Sequence, residues 1–320
     1  MTDIITSIIA GGVVLAVTIL FVSIGEVYNE RAGVINLGLE AIIALSAFVG
    51  LWVTFETTPI FIMDPLLKHV PYILGTLAAI VTGAGVGLIH SFTCVKMRVN
   101  QLIAGLLILT LVDGLANFLN NIALQTTVPI VTILPPLIPQ ETGLADIPVL
   151  GEILFQHNAF VYLAYFLAII FGLILYKTTW GLKIRAVGEN PEACDAAGIN
   201  VNLIRHLCDI FSGAMAGLAG AFMSLGYLGL YDSGIAGGRG WIAIIVVIFS
   251  RWSPFRAILG SLIFGLGYSV TANLIGGGFI PSNWNYLLLI MPYLVALVVI
   301  VLFRGKTKAP SALTVPYWRK

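Results

Sequence analysis

Five acidic and amide side chains, Asn36, Glu40, Asp113, Asn117 and Asn121, lie in stretches otherwise apolar enough to cross a membrane. Asp113, Asn117 and Asn121 recur at every fourth position, which stacks them on one helical face, and Asn36 and Glu40 make a similar pair. An ionisable group inside a bilayer costs at least about 2.5–3.5 kcal/mol on insertion scales, so it turns toward a cavity or a partner. Two roles fit these residues: lining a route for a polar solute, or hydrogen bonding between helices. Around them, Gly25–Glu40 interrupts apolar sequence with glycines and asparagines, and it also holds Glu26, Glu30 and Arg31. Three charged groups so close together cannot all face lipid. The pattern predicts a break between helices, its backbone turned toward a protein-lined or wet cavity, with Glu26, Glu30 and Arg31 holding its shape. Asp209 is expected to pair with Arg205 at i−4. His69, His90, His157 and His206 are scattered and form no H-x-x-x-H or Ser/His/Asp pattern. Cys94, Cys194 and Cys208 fit neither a disulfide framework nor a metal site. The residues predict no covalent chemistry, no metal and no cofactor.

The elements that position these groups follow from composition. Of 320 residues, 59% are apolar and 10% charged, and the mean hydropathy is +1.01. A soluble domain carries about 25% charged residues, so a soluble enzyme is excluded and the surplus apolar surface must face lipid. A net charge of +1 argues against nucleic acid as a partner. Apolar runs predict about nine membrane helices, at roughly 4–24, 34–53, 71–93, 100–124, 159–176, 203–228, 237–250, 255–275 and 285–303. The fold class is all-α, a single polytopic membrane domain over residues 1–320. Gly83-x-x-x-Gly87 and Gly213-x-x-x-Gly217 mark faces where helices approach closely, either in static packing or as surfaces that slide. Trp241, Trp252, Trp284 and Trp318 are expected as interfacial anchors; base stacking by one of them, or by Tyr227 or Tyr231, is the weaker alternative.

Basic residues set the orientation. Thirteen of the sixteen Lys and Arg residues fall between, or within the adjoining ends of, spans three and four, five and six, or seven and eight, or after span nine, and Arg31 makes fourteen. The opposite loops carry Lys68 with Glu56, Asp64, Glu141, Asp146 and Glu152. This bias places the C-terminus in the cytoplasm and, with nine spans, the N-terminus outside. The proline-bearing segment 125–158 then becomes a rigid extracytoplasmic connection.

One cytoplasmic loop, about 181–202, is longer than two spans require. Asn190 suits an N-cap and Pro191 the first helical position, while Glu192 complements the helix dipole. Gly198 suits a C-terminal cap. The prediction is a helix of about seven residues across the cytoplasmic face, either a docking surface or an ordinary amphipathic connector.

This loop resembles the coupling segment of ABC-importer permeases of the ribose and branched-chain amino-acid type, in the nucleoside and simple-sugar branch. Gly25–Leu39, GEVYNERAGVINLGL, is similar to that branch's G-E-x-x-x-E-R-x-G-v-x-N-l-G-x-E-G signature, with Ala41 where the family usually has glycine. Gly213–Gly226 and Gly237–Gly265 match in the same order, so the resemblance covers most of residues 25–265. It implies a permease subunit of an ABC importer, carrying nucleosides or a related small polar solute by ATP-driven alternating access, with riboflavin or simple sugars as alternatives. It implies four partners: a separate ATP-binding subunit, a second and distinct permease subunit, an extracytoplasmic substrate-binding protein, and the lipid of the cell's inner membrane. Coupling to the ATPase would fall on Glu189, Asn190, Pro191, Glu192, Asp195 and Gly198. Gly305-Lys306-Thr307 completes half of a phosphate loop, but Ile300 stands where the first glycine belongs, so ATP is expected on the partner. The rival classes are an ion-coupled secondary transporter, with Asp113 or Glu40 binding the ion, and a membrane-embedded enzyme, which would need clustered His, Asp or Cys.

Overall fold

The computed structural model describes residues 2–61, 67–126, 128–138, 144, 147–277, 290–302 and 308–318. Their regular elements are all helical: α1 (Thr2–Arg31), α2 (Leu39–Phe61), α3 (Val70–Ser91), α4 (Gln101–Thr126), α5 (Ala159–Lys177), α6 (Thr179–Glu189), α7 (Pro191–Ala196), α8 (Val201–Ala221), α9 (Arg239–Phe249), α10 (Pro254–Gly276) and α11 (Met291–Leu302). Wider π-helical turns extend α3 through Phe92–Lys96 and α8 through Phe222–Leu228, and a third π-helical stretch covers Gly151–Phe155. Trp284, Asp64, Glu141, Asp146, Arg304, Lys306, Arg319 and Lys320 lie outside the described residues.

Seven described helices are long and apolar enough to cross a membrane. The seventh expected span, 237–250, is a half-length helix: α9 has 11 residues, about 16 Å at 1.5 Å per residue, against a hydrocarbon core of about 30 Å. The ninth, 285–303, is described only over Met291–Leu302. The first two helices are also displaced from expectation. α1 continues past Gly25 to Arg31, and α2 starts at Leu39. Gly25 does not break the helix; a Cβ there would overlap the Ser212 backbone and the Met215 side chain on α8. It is a close-packing glycine. The 181–202 loop is also more helical than expected, because α6 occupies its first half.

Burial explains the arrangement. α1 is the central rod, packed against α10, α8, α9 and α5, with Ile19, Leu20, Phe21 and Ile24 wholly enclosed. α4 and α5 are peripheral and leave Leu106, Leu107, Leu111, Phe166 and Leu173 exposed, a distribution suited to acyl chains. Val131 N donates to Gly229 O (2.9 Å) and Leu134 N to Leu225 O (3.1 Å), tying the proline-bearing segment to the end of the α8 span.

α3 and α8 meet through their glycines. A Cβ on Gly83 would overlap the Gly213 carbonyl and the Gly217 backbone, and one on Gly213 would overlap the Gly83 carbonyl. Gly85, on the same helix, has open space around it. Gly83→Leu should therefore force the helices apart and destabilise the fold by about 1–3 kcal/mol or more, whereas Gly85→Ala should change stability by no more than about 1 kcal/mol. Thermal unfolding of the detergent-solubilised variants measures both.

Candidate translocation and coupling site

The break between α1 and α2 covers residues 32–38. Most of its amides are hydrogen-bonded within the protein. Gly33, at φ +93°, turns the chain out of the helix, a conformation that favours glycine. Ile35 N donates to Gln101 Oε1 (3.0 Å), Asn36 N to Glu26 Oε1 (2.9 Å) and Gly38 N to Asn36 Oδ1 (2.8 Å). The carbonyls are taken from the other side: Arg205 Nε donates to Ala32 O (3.1 Å) and Thr314 N to Gly33 O (3.2 Å).

Beneath the break lies a polar knot with no solvent exposure. Ser212 Oγ donates to Glu26 Oε2 (2.8 Å), and Asn29 Nδ2 lies within hydrogen-bond reach of both Glu26 Oε2 (3.1 Å) and Asp209 Oδ1 (3.3 Å). Asn36 Nδ2 is 3.5 Å from the same Asp209 oxygen. His90 Nδ1 is 2.6 Å from Asp209 Oδ2, and Cys94 Sγ is 3.4 Å from His90 Nε2. The expected Arg205–Asp209 pair is therefore replaced. Asp209 is paired with His90, while Arg205 spends its fixed fork of donors on the carbonyls of Ala32, Ala312 and Val315. Trp252 is likewise not an interfacial anchor; it is buried, and its Nε1 donates to Glu30 Oε2 (2.6 Å). Arg31 Nε donates to Trp252 O (3.2 Å) and Arg31 Nη2 to Arg251 O (3.3 Å).

Glu40 organises a second polar group one turn further along. After the α8 span ends at Leu228, residues 229–238 run back beside α2 without helical structure, passing Phe48, whose ring meets Tyr231 edge-on at 5.5 Å. They end at Gly237 and Gly238, both at positive φ, which lead into α9. Gly238 N and Gly240 N donate to the two oxygens of Glu40, at 2.6 and 2.7 Å. A carboxylate thus caps the exposed amides of a helix that starts in mid-fold. Arg239 covers the Tyr268 ring at 4.7 Å, and Arg239 and Asp113 both lie close enough to Glu40 to act on its carboxylate through space. Asp113 is exposed on α4 and accepts from Asn117 Nδ2 (3.2 Å); Asn121 lies on the same exposed side. Non-helical backbone at membrane depth persists only where protein buries it or where it lines a watery cavity. The 229–238 segment lies near the exposed Asp113 carboxylate on α4, which acts through space on Tyr231.

At the other end, Asn190 Oδ1 accepts from Ala193 N (3.0 Å), Pro191 occupies the first position of α7, and Gly198, at φ +81°, closes it. Burial pushes the Cys194 thiol on its inner face up. The C-terminal residues 308–318 cross this region. Ala312 N donates to Gly188 O (2.9 Å), Ser311 Oγ to Glu189 Oε2 (3.0 Å) and Tyr317 OH to Asp195 Oδ2 (2.8 Å). Between α7 and this tail lies a groove of about 330 Å³, with Glu189 and Glu192 on one wall and Val315 and Trp318 on the other.

Residues 8–300 match the family described as the permease component of the branched-chain amino acid transport system. The chain belongs to this family. It is therefore a membrane permease of the ABC-transporter type, a subunit that is not itself the ATPase. It is similar along nearly its whole length to two permeases: the nucleoside ABC transporter permease protein NupC of Lactococcus lactis, 32% identical over 97% of this chain and 96% of that one, and the guanosine ABC transporter permease protein NupQ of Bacillus subtilis, 33% identical over 99% and 98%. The putative glucose ABC transporter permease protein TsgC13 of Haloferax volcanii is 35% identical over 78% of this chain and 72% of its own. No solved structure matches.

In this permease, the residues expected to act together divide into three places. Glu26, Glu30, Arg31 and Asn36 build and anchor the break, and Asn36 is wholly enclosed there. Glu40, Asp113 and Asn117 gather near the start of α9, with Asn121 one turn further along α4, and Glu189–Gly198 lie at the end of α6 and on α7. Sequence reasoning missed His90, Arg239 and the 308–318 tail. The signal for His90 was a histidine inside an apolar helix; the tail offered only Pro310 and Pro316. Glu40→Ala should strand the Gly238 and Gly240 amides and destabilise the permease by about 1–3 kcal/mol, with Glu40→Gln losing less because one acceptor remains. Thermal unfolding in detergent measures the difference.

Proposed function

We propose that this permease imports nucleosides across a cell's inner membrane, driven by ATP hydrolysis on a separate subunit. The observation that carries the reading is similarity over 97% and 99% of the chain to a nucleoside and a guanosine permease. An external binding protein delivers the solute to a passage between this chain and a second, related permease; a weaker match to the nucleoside permease NupB of Lactococcus lactis is consistent with that pairing. Asp113, Asn117 and Asn121 line the passage from α4, and Glu40 lines it from α2, offering acceptors to ribose hydroxyls and base N–H groups. The basic bias puts α6, α7 and the C-terminus in the cytoplasm and the N-terminus outside. On this reading the chain makes nine traversals: seven by full spans, one by 229–238 with α9, and one completed by α11. No cofactor is expected on this chain.

A simple sugar is the second reading, favoured by the glucose permease relative. The two separate in proteoliposomes holding the full complex: labelled guanosine should accumulate with ATP inside and survive collapse of the proton gradient, and excess glucose should leave it unchanged. Uptake that follows the gradient and ignores ATP would point instead to an ion-coupled carrier.

The ATPase is expected to press on α7. Glu192→Lys with Asp195→Lys should reduce guanosine uptake at least about tenfold while leaving membrane insertion intact, read from vesicle uptake beside the amount of permease in the membrane. Normal transport with the ATPase still co-purifying would remove α7 from that role.

A further inference from the structure

Between α7 and the break near Glu40 runs a continuous set of hydrogen bonds, and its middle is the C-terminal tail. On the rim side the tail is held at three points, two at the end of α6 (Gly188 O by Ala312 N and Glu189 by Ser311) and one on α7 (Asp195 by Tyr317). On the membrane side it is held at the break. Thr314 N donates to Gly33 O, and Arg205 bridges Ala32 O to the tail carbonyls Val315 O (2.9 Å) and Ala312 O (3.4 Å). Close contact reinforces the break end, because a Cβ on Gly33 would meet Arg205 and the Ala312 carbonyl; α6 also meets the end of α1 directly, since one on Gly188 would overlap the Arg31 carbonyl.

Arg205 is the informative residue. It is a buried cation with no carboxylate among its hydrogen-bond partners in the described residues; its guanidinium donates to three backbone carbonyls from two segments far apart in sequence. Burying a charge is costly unless it is fully hydrogen-bonded, so any displacement of the tail relative to residues 32–33 costs free energy. The two must move together. The same holds from the break inward, where Asn36 is tied to Glu26, and Leu39 leads directly to Glu40 and its hold on the start of α9.

We infer that the tail, clamped by Arg205, is the relay that carries motion of α7 to the 32–38 break and so to the passage. Arg205, Tyr317 and Ser311 are positioning residues; none of them touches solute. This inference rests on the ATP-driven import proposed above. Spatial continuity alone does not establish coupling, so the deciding quantity is the ratio of ATP hydrolysed to solute moved.

The test uses the full complex in proteoliposomes, with labelled guanosine uptake and phosphate release measured together. Unaltered protein comes first: absence of ATP-driven guanosine uptake there would defeat the import reading itself. Given that uptake, Arg205→Lys, whose ammonium lacks the fork to span three carbonyls, should raise ATP consumed per guanosine at least about fivefold. Tyr317→Phe, which keeps the buried ring, with Ser311→Ala at an exposed position, should raise it in the same direction and decides the matter should Arg205→Lys fail to assemble. A ratio equal to that of the unaltered complex, whatever the total rates, overturns the relay, because mere loss of folded protein lowers both rates in proportion.

Discussion

A peptide group cut off from water has to find its hydrogen-bond partner inside the protein, and the interior of this permease is arranged around two places where the helical solution is given up. At residues 32–38 side chains brought from elsewhere, Glu26, Gln101 and Arg205, take up backbone groups of Asn36, Ile35 and Ala32. At Gly238–Gly240 a single carboxylate, Glu40, receives two amides. Both are in the Gly25–Glu40 stretch or bound to it, and two of its four charged residues, Glu26 and Glu40, accept the amides of irregular backbone there.

Much of this was legible in the sequence, because its rules are local. Helices of 19 to 30 residues announce themselves by uninterrupted hydropathy, and the Asn190–Pro191–Gly198 punctuation of α7 is read from capping chemistry alone. The errors also have local causes. Gly25 reads as a helix breaker until α8 is seen packed against it. Arg205 and Asp209 stand one turn apart, and nearest-neighbour electrostatics pairs them; the fold instead offers Asp209 a histidine 119 positions away and Arg205 a set of carbonyls no sequence pattern announces. Trp252 carries the amphipathic character of an interface residue, yet its N–H is claimed by Glu30 inside the protein.

The candidate passage was legible only in part. The i, i+4 spacing of Asp113 and Asn117 predicts a shared face, and the structure leaves that face exposed. Nothing in the sequence says that residues 229–238 return beside α2, because a short apolar run such as 239–249 reads as a span whether it crosses the bilayer or begins halfway through it. Length was the one clue. Arg239 was invisible for the same reason: at the head of a supposed full span it reads as a boundary charge, whereas at the head of a half-length helix it sits beside Glu40 and against Tyr268.

The glycine contact between α3 and α8 has one more implication. Where backbone meets backbone without side chains between, there is no cushion of rotamers to absorb a shift, so the two rods behave as a single stiff beam. Motion in such a molecule is then left to the parts joined through side chains: the bend after Arg31, the returning stretch of backbone before α9, and the C-terminal strap.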